Sequence, residues 1–169
     1  EFISRWRDGE GGAERANYAL FLVELVDLLG LPHPDPAGAT HENNDYVFER
    51  AVRMKYSDGS ASVGRIDLYR RGRFVLEAKQ SRWKDQQEAV PPPVRPDQPG
   101  FAELQPLGRR TAHRNWDVLM RNARNQAEQY ARALEPDHGW PPFLIVCDVG
   151  HCMELYADFS GQGKNYRQF

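Results

Sequence analysis

Residues 63–80 read VGRIDLYRRGRFVLEAKQ, two alternating runs joined across Arg70, Arg71, Gly72 and Arg73. Alternation with a period of two marks a strand whose faces meet different surroundings, and a glycine between two such runs marks a reversal. A turn centred on Gly72 sets Leu68 across from Leu76 and Ile66 across from Ala78, one apolar face for a core. The same register sets Asp67 across from Glu77, with Lys79 on their face. Directly opposed side chains have β-carbons roughly 4.5–5.5 Å apart, and like charges at that spacing destabilise a sheet. A divalent cation removes the conflict, because paired carboxylates are the hard oxygen donors that Mg²⁺ takes while keeping several waters. The expected metal set is Asp67, Glu77 and the backbone carbonyl of Ala78, whose side chain turns away. Lys79 adds an ammonium that can orient a water or stabilise charge on a phosphate. The trio Asp67, Glu77 and Lys79 thus fits phosphodiester hydrolysis with Mg²⁺, for which Mn²⁺ can substitute. The rival reading is a solvated charged face in which Lys79 offsets one acid.

Outward from the hairpin, residues 46–56 alternate as a preceding strand, with Asp58 and Gly59 in the turn between. Residues 13–29, AERANYALFLVELVDLL, carry an apolar stripe through Tyr18, Phe21, Leu22, Leu25, Leu28 and Leu29 before Gly30 and Pro32 stop the helix. On the other side, residues 81–113 are rich in Pro, Gln and Arg, include Pro91, Pro92 and Pro93, and lack periodicity, so they are expected to form a long loop. Residues 115–134 give a second helix with a stripe through Trp116, Leu119, Ala123, Tyr130 and Leu134. The apolar run 143–149 reads as a buried strand, and 152–156 as its return. The order of helix, three-strand meander, helix and two strands predicts an α/β (α+β) fold, a mixed central sheet flanked by helices.

At 169 residues a single domain over 1–169 is expected, and the start at Glu1 suggests a piece of a longer protein. With 40% hydrophobic residues, no long apolar run and no signal peptide, the chain is expected to be cytoplasmic and free of the membrane. Its two cysteines, Cys147 and Cys152, fit a reducing compartment, and with His151 they lack a four-ligand zinc pattern. The net charge of −2 supplies no global attraction to nucleic acid.

An aspartate on one strand followed by Glu-x-Lys on its hairpin partner resembles the PD-(D/E)XK nuclease superfamily, with Ile66 where the signature has proline. The element order is similar to that superfamily's restriction-endonuclease-like core. A closer resemblance covers nearly the whole chain: GGAERANYALFLVELVDLLG, NDYVFER, GRIDLYRRGRFVLEAKQ, RNQAEQYARAL and WPPFLIVCDVGHCMELYADFSGQGKNY look like the amino-terminal region of MmeI-like (type IIL) restriction-modification enzymes. That resemblance implies an endonuclease domain preceding a helical connector, a methyltransferase and a target-recognition domain in one polypeptide of the bacterial cytoplasm, serving phage defence. S-adenosylmethionine would serve only the methyltransferase. Double-stranded DNA would be cut at a fixed distance from a site that another domain reads, with two nuclease domains pairing transiently to cut both strands. Tethering to a DNA reader raises effective concentration, so a nearly neutral nuclease domain is no contradiction.

Further residues carry weaker expectations. Gln126 and Tyr130 share a helical face, and their spacing is similar to a motif of RecB-like members. Gln80 resembles the polar residue that often follows the lysine. Glu14, near Asn17, is either an additional acid by the metals or an ordinary N-terminal helix charge. Arg121, Arg124 and Arg132 either meet phosphates or form a solvated face. Two cysteines are too few for the iron–sulfur variants of RecB-like nucleases. Two alternatives to an endonuclease stand beside it: an inactive nuclease-like module that supports a methyltransferase, and a RecB-like repair exonuclease that needs DNA ends.

Overall fold

Alternation, turn glycines and one continuous apolar run together build the sheet. In the computed structural model, residues 1–9, 13–39, 44–81, 107–163 and 165–169 are described, with the backbone alone at 14, 15 and 107–114. Helices α1 (Phe2–Arg7) and α2 (Glu14–Leu28) precede the meander β1 (Tyr46–Lys55), β2 (Ala61–Arg70) and β3 (Phe74–Lys79). Helix α3 (Leu107–Ala133) then leads through a 3₁₀ turn (Pro136–His138) to β4 (Phe143–Asp148), β5 (Cys152–Ala157) and the short β6 (Arg167–Gln168). The six strands lie in sequence order. Neighbours are antiparallel except β3 and β4, which the α3 crossover makes parallel. This is the mixed sheet flanked by helices that the element order predicts.

Two apolar layers cover the sheet. On one face Tyr18, Phe21 and Leu22 of α2 meet Tyr46, Leu68, Leu76, Ala78 and Cys147, with Phe2 and Trp6 of α1 packed against them. On the other, Met120, Ala123, Ala127, Tyr130 and Ala131 of α3 meet Val52, Ile66, Tyr69, Val75, Leu144 and Val146. β3 and β4 are therefore buried on both sides, which explains why residues 143–149 do not alternate.

Three elements depart from the sequence expectation. Helix α3 begins at Leu107, so 107–113 are helical and not part of a loop over 81–113. That first stretch, LGRRTAH, contains good helix formers but no apolar stripe, so periodicity could not find it. Residues 82–106 of the expected loop lie outside the described residues. Helix α1 is too short for a periodic signal, yet the Trp6 indole donates to Glu24 at 2.7 Å and its ring meets Phe21 edge-on. β6 is a two-residue edge pairing.

A further departure concerns faces. Tyr46 and Phe48 pack on the α2 side, whereas Val52 and Met54, of the same parity, pack on the α3 side. In β2, Leu68 faces α2 but Ile66 faces α3. Ile66 and Ala78 therefore do not share an apolar face as alternation predicts. Both inversions occur at one level, where the β1–β2 pairing runs from Phe48 and Leu68 to Arg50 and Ile66 without a pair at Glu49 and Asp67. Glu49 carries a φ of 53°, alone among the described non-glycine residues in having a positive value. The left-handed residue and the change of face in both strands fall at the same level.

Buried polar groups tie the end of α3 to the sheet. The Arg50 guanidinium donates to Glu135 at 3.0 Å and lies over the Tyr69 ring, and the Tyr69 hydroxyl meets His138 Nδ1 at 2.6 Å. Burial, followed by the cations Arg50 and Arg71, holds the His138 imidazole below its ordinary value. A group with a lowered folded pKa binds more protons when unfolded, so its stabilisation is complete above its unfolded value and is lost progressively as pH falls from there through the folded one. Burial would raise the Glu135 carboxyl, but backbone hydrogen bonding and Arg50 outweigh it and hold it low, extending the loss into acid. Urea unfolding is expected to show stability falling from about pH 7 to pH 5, with the upper part of that slope, near pH 6.5, flattened in His138→Gln. An unchanged slope in the variant would remove His138 as its source.

Candidate functional site

The β2–β3 ladder pairs Arg70 with Phe74, Tyr69 with Val75 and Leu68 with Leu76, the register predicted from Gly72. It then stops, and the next residue of β2 is Asp67. The chains splay, and Asp67 Oδ2 accepts the Ala78 backbone N–H at 2.7 Å. Asp67 thus reaches across the gap in the plane of the sheet and does not stand on a face opposite Glu77. In a strand the N–H and C=O of one residue point to the same edge, so the Ala78 carbonyl also faces this gap. Lys79, next along, offers its carbonyl to Val149 on the opposite edge.

Glu77 is 1% exposed on the α3 side of β3. Its Oε1 accepts Lys79 Nζ at 2.6 Å, and the Lys79 side chain keeps 16% of its surface, reaching solvent from a nearly closed site. A cation beside a buried carboxylate offsets the loss of hydration that burial imposes. Asp67, the Ala78 edge, Glu77 and Lys79 therefore meet at one end of the β2–β3 pairing, one to three residues beyond its last pair.

Two tyrosines close the site from opposite faces. Tyr18 of α2 donates its hydroxyl to Glu49 Oε1. Burial, Glu49, Asp67 and Glu77, in that order, push the Tyr18 phenol far above its usual value, so three carboxylates act on one hydroxyl. On the α3 side, Gln126 Nε2 donates to the Tyr130 hydroxyl at 2.9 Å. Burial raises that phenol too, Gln126 opposes the rise, and Glu77 and Asp67 add to it. Tyr130 lies so close to β2 that a Cβ at Gly64 would stand 2.4 Å from its ring. The helix is thereby seated directly over Asp67 and Glu77.

Gln80 Oε1 accepts Asn17 Nδ2 at 3.2 Å, joining the end of β3 to α2. The Glu14 side chain lies outside the described residues. Asp148, buried at the end of β4 and paired with Lys79, accepts Ser81 N at 2.8 Å, Ser81 Oγ at 2.7 Å and Trp116 Nε1 at 2.8 Å. It fixes the chain leaving the lysine and the helix above it. Sequence reading missed Tyr18, Glu49 and Asp148 as site neighbours, because Tyr18 and Asp148 read as core stripe and strand end, and Glu49 as one position of an alternating strand.

The arginines of α3 make contacts of their own. Arg124 bonds the Tyr166 carbonyl and Glu128, and Arg132 shares that same Glu128, so both are engaged within the fold, whereas Arg121 is exposed. Burial pushes the Cys147 thiol far up and the Cys152 thiol to about 11. Among the described residues no group of three or more His, Cys, Asp and Glu side chains is arranged to hold a metal. No helix of the described residues is long and apolar enough to cross a membrane.

No curated protein and no solved structure matches the chain. A family description does match, "MmeI, N-terminal domain", and it covers residues 1–169. With that match over its whole length, the chain belongs to the family of MmeI N-terminal domains.

Proposed function

We propose that the chain is the Mg²⁺-dependent endonuclease domain of a type IIL restriction-modification enzyme, with a PD-(D/E)XK site formed by Asp67, Glu77 and Lys79. The observation that carries this reading is the opened β2–β3 edge, where the Asp67 carboxylate meets the Ala78 backbone beside the Glu77–Lys79 pair. Two carboxylates and a strand carbonyl are hard oxygen donors that leave room for the waters Mg²⁺ retains, so the donor set fits the ion. Asp67, Glu77 and the Ala78 carbonyl would hold it. Bound there, the ion would activate water and neutralise charge on the scissile phosphate. Lys79 supplies an ammonium to the attacking water or the phosphate, and Gln126 and Tyr130 shape the site from α3. Duplex DNA is delivered by target-recognition and methyltransferase domains of the same polypeptide, the latter using S-adenosylmethionine, and two nuclease domains pair transiently to cut both strands. Mn²⁺ can replace Mg²⁺.

The test is a titration of the intact protein with Mg²⁺ or Mn²⁺ on covalently closed circular DNA. Cleavage is expected to require the ion, to stop with chelator, and to fall at least about 100-fold in Glu77→Gln. Unaltered cutting under chelation overturns the reading. Cutting of linear DNA alone favours the exonuclease alternative, and absence of both cutting and metal binding favours an inactive support module.

A further inference from the structure

Glu49 stands at the one level where the β1–β2 ladder lacks a pair, directly across from Asp67. A non-glycine residue in the left-handed region is disfavoured, and such residues persist only where their surroundings impose the conformation. Here the constraint is visible. Tyr18 takes the Glu49 carboxylate toward α2, Arg65 reaches the Glu49 carbonyl at 3.4 Å, and the buried Arg50, next in the chain, is held by Glu135 just past α3.

The twist has a consequence for Asp67. Were β1 regular, β2 would alternate without interruption and Asp67 would stand on the α3 face. With both strands changing face at this level, Asp67 instead turns its Oδ2 to the Ala78 N–H. Glu49 and Asp67 are the residues about which both strands change face, Phe48 and Leu68 lying on one side and Val52 and Ile66 on the other. The carboxylates of Asp67 and Glu77 also act on the same tyrosine that holds Glu49.

We infer that Glu49 is a positioning residue: its left-handed backbone, clamped by Tyr18, turns β1 and β2 to their other faces at this level and directs the Asp67 carboxylate to the Ala78 edge, where a divalent cation would be held. The inference rests on the metal-dependent reading of Asp67 and Glu77. It makes the backbone conformation at residue 49 the deciding feature, with the carboxylate serving to fix it. Glycine and asparagine adopt that conformation readily, whereas a β-branched residue resists it.

The experiment compares Mn²⁺ binding by calorimetry, and kcat and KM for DNA cleavage, in intact protein carrying Glu49→Gly, Glu49→Asn or Glu49→Val, with Asp67→Asn as reference. Gly and Asn are expected to bind Mn²⁺ within about threefold of wild type. Val, judged folded by its cooperative unfolding, is expected to bind at least tenfold more weakly and to lose kcat with KM for DNA unchanged. If Val does not fold, Glu49→Ala takes its place, since its Cβ alone opposes the left-handed region. Wild-type Mn²⁺ affinity in Val or Ala overturns the inference, as does a tenfold loss in Gly, which would make the carboxylate itself decisive. If Asp67→Asn binds Mn²⁺ as wild type does, the metal reading fails and the inference with it. If Asp67→Asn loses the ion while Val keeps it, the positioning role alone fails.

Discussion

Protein carrying Lys79→Ala is expected to retain its metal and its affinity for DNA while cutting about 10²- to 10⁴-fold more slowly, the range for a positioned proton-transfer or charge-stabilising group. The side chain is held by Glu77 at 2.6 Å, with only 16% of its surface exposed, so its ammonium is oriented before substrate arrives. A group that acts on charge developing during reaction lowers kcat and leaves ground-state binding alone, and single-turnover kinetics with a separate binding isotherm distinguishes the two. Lys79→Arg is expected to restore little, because a planar fork cannot occupy the position of a compact ammonium. Removing the cation also leaves a buried carboxylate at Glu77, so the unfolding midpoint should drop in metal-free protein and recover when Mg²⁺ is added. Normal cleavage by Lys79→Ala would sink the proposed chemistry, whatever happens to stability.

The sequence carried the order of the elements and the hairpin register because both depend on local pattern. Leu68, Tyr69 and Arg70 meet the partners that Gly72 prescribes, and residues 143–148 form the buried strand that their continuous apolar run requires. What remained hidden depends on single residues departing from that pattern. The inversion at Glu49 breaks alternation without inserting a residue, so the count of positions still looks regular while Ile66 changes face. Opposition of Asp67 and Glu77 was therefore the right level of the sheet but the wrong geometry: the acids approach across an opened edge and not across a face. Asp148 was hidden for another reason, since its partners Ser81 and Trp116 come from segments separated from it by many residues.

Arg50→Ala should be the most destabilising polar substitution proposed here, at about 3–5 kcal/mol, the range for breaking a buried ionic group or emptying a large core position. Arg50 is 1% exposed, reaches Glu135 at 3.0 Å and the Asn44 carbonyl at 3.4 Å, and lies 5.2 Å from the centre of the Tyr69 ring. The Glu135 side chain keeps 47% of its surface, so its carboxylate stays hydrated when the guanidinium is removed. The loss then comes mainly from the void and from Tyr69 and His138 losing their cover. Arg50→Met, which fills most of that volume without charge, should accordingly recover more than half of the stability in urea unfolding. If instead Met is as unstable as Ala, the ionic contact outweighs packing. Arg50 also follows Glu49 directly and pairs with Ile66, the neighbour of Asp67. Freed from α3, the strand can relax toward regular alternation, which would return Asp67 to a face. Mn²⁺ affinity in folded Arg50→Ala should therefore fall although Arg50 is not among the proposed ligands, and the fall should be smaller in Arg50→Met. A variant that loses stability but keeps its metal affinity would separate the α3 anchor from the site.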